Sequence, residues 1–300
     1  MPISASAFLS VEETISRLED CGYIAPRPLA VAIFLAVGMN RPLFLEGEAG
    51  VGKTAVAKVL AAALGRPLLR LQCYEGIDLA AAAYDWDYPR QLLTARLRQG
   101  DHAPARAEDL YSEQFLLRRP LLQALSPPPG MPTPVLLIDE IDRADAPFEA
   151  FLLEFLAEWQ ISIPEYGTVR AAEPPPTVLT SNRSREVHDA LKRRCLYHWV
   201  DFPGPRREAE IVRLHHPDIS EALTTRIVDF VHRLRELDLH KLPGIAETMD
   251  WAAAITRLDR NTLDEQTADE TLGALLKYQD DLILARQHGV ARLINDEKND

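Results

Sequence analysis

Apolar residues fall in short blocks along this chain, with no internal repeat of the solenoid or propeller kind. Residues 10–20 are mostly polar and predict a short leading helix. Pro26 and Pro28 open an apolar helical stretch, because the fixed φ of proline suits a first helical turn, and Gly38 and Asn40 close it. Short apolar runs at residues 42–45, 68–73, 135–138 and 177–180 are bounded by turn residues and predict buried strands. After the first of them, residues 55–64 form an alanine- and leucine-rich helix that ends at Gly65. This alternation predicts an α/β fold built on a parallel sheet covered on both faces. Further helices are expected near 89–99 and 113–125, and a hairpin over 161–170.

Pro203, Gly204 and Pro205 mark a change of pattern, and beyond them the chain reads as helical. Ile219, Leu223, Ile227, Phe230, Leu234 and Leu237 step by three or four residues, which places them on one helix face. Asp218, with Glu221 three residues on, has the form of a capping box at that helix's start. Helices over 248–259 and 267–287 complete a small all-α unit. The expected organisation is a helical leader over 1–22, an α/β core over 23–203 and a helical lid over 204–300.

Composition narrows the function classes. The chain has 300 residues, 47% hydrophobic and 26% charged, so it is long enough to bury a core without disulfide staples. A net charge of −12 argues against bulk electrostatic binding to nucleic acid or anionic lipid, so neither a nucleic-acid nor a membrane partner is expected. Cys21, Cys73 and Cys195 lie far apart without a C-x-x-C pair, as expected of reduced, buried thiols. The first basic residue, Arg17, follows Glu12 and Glu13, unlike a secretory signal. Residues 29–39, the longest apolar run, fall short of the roughly 20 needed to span a bilayer. The expected location is the cytoplasm.

The chemistry is concentrated at two predicted strand ends. Gly47, Glu48, Ala49, Gly50, Val51, Gly52, Lys53 and Thr54 match G-x-x-x-x-G-K-[ST] between a strand and a helix. Glycines let successive N–H groups curl toward phosphate oxygens, and the helix N-terminus adds partial positive charge. Lys53 is placed to reach the terminal phosphates, and the Thr54 hydroxyl to bind Mg²⁺. The apolar run 135–138 delivers Asp139 and Glu140 to the end of its strand, where ligands sit in open α/β sheets. Asp139 suits Mg²⁺ through its water shell, and Glu140 suits general-base activation of water. Asn182, after the strand at 177–180, has an amide able to orient that water. Lys192, Arg193 and Arg194 supply cationic groups of the kind that stabilise phosphoryl transfer, in their own site or a neighbour's.

Taken in order, GEAGVGKT, LLIDEIDRA, LTSN and ALKRRC resemble the AAA+ ATPases, specifically the MoxR family. Tyr74 to Asp78 and Tyr84 to Gln91 resemble its CoxD-like branch, and the resemblance runs over about residues 20–285. It implies a P-loop NTPase core with a C-terminal helical lid, using ATP and Mg²⁺, and Asp139 and Glu140 as the Walker B pair. It also implies Asn182 as sensor 1 and Arg194 as the arginine finger, with Arg193 as the alternate because the family's Arg-Phe pair is here Arg194-Cys195. A homo-oligomeric ring, a hexamer in the family, is implied with a von Willebrand factor A-type partner. The implied role is a chaperone acting on a client protein, in CoxD-like members in metal-centre maturation of molybdenum enzymes. One position departs from the pattern. Where the family carries a lid arginine, sensor 2, residues 244–249 have none, and Lys241 is the nearby base.

The same residues also fit a P-loop kinase acting on a small molecule, or a nucleotide-gated binding switch. Asp85 to Tyr88, rich in acids and aromatics, is read either as a turn packed on the domain or as a loop facing a pore or partner. Tyr166 and Gly167 are read either as a plain hairpin turn or as pore-facing. The acidic tail 296–300 is read as solvated charge.

Overall fold

The computed structural model describes residues 8–98, 107–260 and 262–295; the acidic tail, residue 99 of the helix expected at 89–99 and the first seven residues of the expected leader lie outside these. The strands are β1 (Leu43–Glu46), β2 (Leu68–Gln72), β3 (Tyr84–Trp86), β4 (Leu116–Arg118), β5 (Val135–Asp139), β6 (Gln160–Ile163), β7 (Gly167–Arg170), β8 (Thr177–Ser181) and β9 (Leu196–Trp199). The helices begin with α1 (Val11–Asp20), α2 (Arg27–Gly38), α3 (Lys53–Leu64), α4 (Leu79–Ala82) and α5 (Tyr88–Arg98). They continue with α6 (Ala107–Leu110), α7 (Pro120–Leu125), α8 (Ala146–Glu158) and α9 (Asp189–Arg194). From Pro205 they are α10 (Pro205–His215), α11 (Glu221–Arg235), α12 (Ile245–Arg257), α13 (Glu265–Leu275), α14 (Gln279–His288) and α15 (Val290–Ile294).

Two compact units emerge. Pro26–Glu46 and Thr54–Trp199, with the stretch ending at Arg17, form the first. Leu18–Ala25, Gly47–Lys53 and the chain from Val200 onward form the second.

The first unit is organised by a five-stranded sheet of order β2-β5-β8-β1-β9, parallel throughout. Every residue of β1, β5 and β8 is buried, as parallel strands covered on both faces require. Phe44, Leu136, Ile138 and Leu179 from these strands join Phe148, Leu152 and Phe155 of α8 in one apolar cluster. Since β8 lies between β5 and β1, the C-terminal ends of the three strands are side by side.

The expected helix at 113–125 is instead a 3₁₀ turn at Glu113–Phe115, then β4, then α7. Pro120 has no amide to donate and pushes Arg119 out of helical geometry, so the helix starts only there. The freed residues pair antiparallel with β3, Trp86 opposite Leu116. Three-residue strands are too short for alternation to reveal them. Within this ribbon Trp86 is buried and meets Tyr111 edge to face at 5.2 Å, so the aromatics of 85–88 divide: Trp86 packs inward and Tyr88 stays exposed. The hairpin over 161–170 is present as β6 and β7. Burial raises the Cys73 thiol to about 12, with Asp139, Asp142 and Glu140 adding to the rise; Cys195 is raised to about 12 by burial, and Cys21 is half-buried.

The second unit, from α10 on, is helical around Ile227, Phe230, Leu234, Trp251, Ile255 and Leu272. The Phe230 and Trp251 rings lie 4.8 Å apart. Two sequence expectations are corrected here. Ser220, rather than Asp218, caps α11, its hydroxyl accepting from the Leu223 amide at 3.2 Å; serine caps as well as aspartate and stands directly before the helix. The expected helix at 267–287 is two helices, because Leu276 is extended and buried, which sends both Leu275 and Leu276 into the core.

Glu208 of α10 ties this unit together. Fully buried, it accepts from Arg235 at 2.6 and 2.8 Å, from Thr248 at 2.7 Å and pairs with His232 at 2.9 Å. Burial alone would raise its pKa, but His232, Arg235 and Thr248 outweigh that and hold it below the usual value. A carboxylate lowered in this way adds stability above the unfolded glutamate pKa of about 4.3 and loses it as pH falls through the folded-state value. Glu208→Gln is therefore expected to lower stability at pH 7 by about 3–5 kcal/mol, by leaving Arg235 buried without its charge partner. The loss should shrink below about pH 4, as a urea-denaturation series across pH would show.

Candidate functional site

Sequence continuity places the glycine-rich segment directly after β1 and at the start of α3. Gly50 and Gly52 have φ of +82° and +94°, values that glycine adopts without strain. Within the second unit the segment is tightly enclosed. A Cβ at Gly47 would sit 2.2 Å from the Val200 carbonyl oxygen, and one at Gly244 would sit 2.6 Å from that of Gly50. The Ile245 amide, opening α12, donates to the Gly50 carbonyl at 3.0 Å. Gly244 and Ile245 thus meet the glycine loop backbone to backbone. Lys53 is buried and its Nζ donates to the carbonyls of Gly47 and Glu48 at 2.7 and 2.6 Å.

In the first unit, the acids at the end of β5 gather the polar side chains around them. Asp139 accepts from Thr54 Oγ1 at 3.1 Å and from Thr180 Oγ1 at 2.5 Å. Hydroxyl and carboxylate oxygens this close are a hard-oxygen pair of the kind Mg²⁺ takes, its other positions being left for phosphate and water, so these residues fit the ion. Glu140 follows with φ +55°, a left-handed conformation uncommon for a side-chain-bearing residue. Such strain costs on the order of 1–3 kcal/mol and persists only where its surroundings fix it. Here the Glu140 amide donates to Thr180 Oγ1 at 2.9 Å, and its carboxylate accepts from Gln72 at 3.0 Å and Asn182 at 3.4 Å. Arg143 lies 3.3 Å away. Asn182 and Glu140 are therefore brought together directly.

Three further side chains hold this arrangement, none of them assigned a role by spacing. Asp142, buried, accepts from the amides of Asn182 and Ser184 at 3.2 and 2.9 Å and from the Ser184 hydroxyl at 2.6 Å. Glu149, buried on α8, pairs with Arg185 and accepts from the His188 amide at 2.8 Å. Arg41 donates to the carbonyls of Arg193, Arg194 and Cys195 at 2.9, 3.3 and 3.2 Å, satisfying the C-terminal end of α9. An acid within an apolar stretch or a lone arginine before a strand has no spacing rule; only the fold shows what it touches.

Arg193 and Arg194 are exposed, and their side chains make no hydrogen bond or ion pair among the described residues. Lys192 instead turns inward to Glu46 at 3.4 Å. Glu46, buried at the end of β1, also accepts from the Tyr197 hydroxyl at 2.9 Å. Burial first, then this bond to a carboxylate, pushes Tyr197 up to about 12. Among the described residues no helix is long and apolar enough to cross a membrane.

A family model described as AAA domain (dynein-related subfamily) matches residues 42–195. Gas vesicle ATPase GvpN of Haloferax mediterranei is 26% identical over 255 residues, which cover 81% of this chain and 71% of that protein. Protein NorQ of Paracoccus denitrificans is 26% identical over 252 residues, covering 81% and 83% respectively. Among solved structures, the RuvB Holliday junction branch migration motor of Thermotoga maritima aligns with 17% identity and a TM-score of 0.46, covering 91% of this chain and 72% of that one. The strand–P-loop–helix segment and the acidic end of β5 both lie inside the matched span, and the chain belongs to the AAA domain family, dynein-related subfamily, as an AAA+ ATPase of the MoxR type.

Proposed function

We propose that this protein hydrolyses ATP to ADP and phosphate in a Mg²⁺-dependent reaction and uses the cycle to remodel a client protein. The observation that carries the reading is the meeting of Thr54 with Asp139, and of Asn182 with Glu140, at adjacent strand ends. In this reading Gly47 to Lys53 bind the phosphates by backbone amides and by the Lys53 ammonium, while Thr54 and Asp139 hold the metal. Bound there, Mg²⁺ supplies positive charge to the phosphate oxygens. Glu140 takes the proton of the attacking water, and Asn182 orients both the Glu140 carboxylate and that water.

The assembly in this reading is a homo-oligomeric ring, a hexamer by family resemblance, in which Arg194, or Arg193 beside it, faces a neighbour's nucleotide. The exposed and unengaged state of both arginines supports this, as does the dynein-related family match. A von Willebrand factor A-type protein is the expected partner, and maturation of a molybdenum enzyme's metal centre is the task that the CoxD-like resemblance implies. The division into a core over 23–203 and a lid over 204–300 belongs to the same proposal. Expected of the purified protein is phosphate release from ATP that stops when EDTA removes the metal and returns with added Mg²⁺. Phosphate transferred to an added small-molecule acceptor would make it a kinase. Nucleotide-dependent capture of a partner with no phosphate release would make it a switch.

A further inference from the structure

β2 is an edge strand of the parallel sheet, and Arg70 and Gln72, two residues apart, project from one face of it. Gln72 stands in register with Asp139. Arg70 donates to Asp139 Oδ2 from Nε at 2.9 Å and from Nη2 at 2.6 Å, and also bonds the Gln72 side-chain oxygen. Gln72 in turn donates to Glu140 at 3.0 Å. The two acids at the end of β5 are thereby bridged by side chains of β2. The Asp139 side chain is 3% exposed and that of Arg70 is 51% exposed, so one partner is fixed and the other is free to swing into solvent.

We propose that Arg70 is a resident counter-cation for Asp139 that a divalent metal must displace, making metal-nucleotide entry a cation exchange at this carboxylate. The inference rests on the reading of Asp139 as a metal-side acid. Its physical basis is that a buried carboxylate needs a compensating positive charge, and a guanidinium held at 2.6 Å already provides one. A doubly charged ion arriving at the same oxygens meets the repulsion of that guanidinium unless it leaves. Leaving is easy for Arg70: half its side chain is already in water, and among the described residues its strand has a neighbour on one side only. The exchange keeps Asp139 compensated when no nucleotide is bound, and it sets the metal concentration at which the site loads.

The test uses the full chain as wild type, Arg70→Gln and Arg70→Lys, with a fluorescent N-methylanthraniloyl-ADP titrated with Mg²⁺ in metal-cleared buffer. Arg70→Gln is expected to retain the nucleotide at a half-saturating Mg²⁺ concentration about tenfold lower than wild type, with Arg70→Lys between them. Without nucleotide, Mg²⁺ alone should raise the melting midpoint of Arg70→Gln and leave that of wild type unchanged, since only the variant has an uncompensated Asp139. Equal Mg²⁺ midpoints in all three proteins would overturn the proposal. So would an Arg70→Gln melting loss that Mg²⁺ does not restore, which would make Arg70 a structural ion pair only. If Arg70→Gln fails to fold, Arg70→Lys decides, by a lower Mg²⁺ midpoint or by an unchanged one. If wild type itself does not bind the nucleotide analogue, the nucleotide reading fails, and the nucleotide-free melting series still decides whether Arg70 and Mg²⁺ compete at Asp139.

Discussion

Glu140→Gln is expected to bind ATP as wild type does and to hydrolyse it about 10²–10⁴-fold more slowly, the usual reach of a general base. The substitution removes the proton acceptor while preserving the shape and the hydrogen-bonding end of the side chain. The geometry makes this a clean experiment. The Glu140 backbone is held in its left-handed conformation by Thr180 through the main-chain amide, a bond that the substitution leaves intact. Gln72 and Asn182 both donate to the carboxylate, and one of the two would face the new amide nitrogen unless its own amide turns over. Nucleotide affinity measured beside phosphate release separates the two effects. Weakened binding with unchanged turnover would remove Glu140 from the catalytic role and leave it a structural acid. The slow variant, loaded with ATP, is also the form best suited to capture client and partner together.

The fold was legible where apolar blocks were long enough to have a direction. Residues 42–45, 135–138 and 177–180 are the three adjacent central strands, and their burial on both faces is why they read as unbroken apolar runs. The helix over 55–64 was placed by Gly65, whose φ of +63° is the left-handed end expected after a helix, although it starts two residues earlier, at Lys53. β3 and β4 were missed because pairing, not periodicity, makes them strands. β9 was missed for a related reason: Leu196–Trp199 mixes ring and apolar residues without alternation and becomes a strand by lying parallel to β1.

At the site, the residues that follow spacing rules are those proposed to bind phosphate or to activate water. The ones that set geometry follow none. Asp142 and Glu149 anchor the segment carrying Asn182 and the start of α9 through backbone amides, which any sequence offers. Arg70 and Arg41 act through oxygens contributed by residues far away in the chain. Such contacts depend on which strands become neighbours, and that order is a property of the sheet.

Mixing Arg194→Ala protein with Lys53→Ala protein is expected to recover ATPase activity that neither has alone. A γ-phosphate in transit carries more charge than one lysine and one metal ion balance, and a cation donated by a second surface raises turnover by about 10³–10⁵-fold. Within this chain the segment at 244–249 brings a backbone amide to Gly50 and holds no lysine or arginine, so it contributes no such charge. Arg194 is the expected donor by the family resemblance, with Arg193 the alternate; Arg41 fixes the end of their helix while both side chains stay exposed. A head-to-tail ring repeats one heterologous interface, each site completed by its neighbour. In rings mixed one to one, about one interface in four joins an intact P-loop to an intact arginine, so recovery should approach a quarter of wild-type turnover. Arg193→Ala protein on its own distinguishes the two arginines, since the residue that does not reach the nucleotide leaves turnover near wild type when replaced. Absence of recovery in rings shown to contain both subunits would put the arginine's action in its own site or remove it from the reaction.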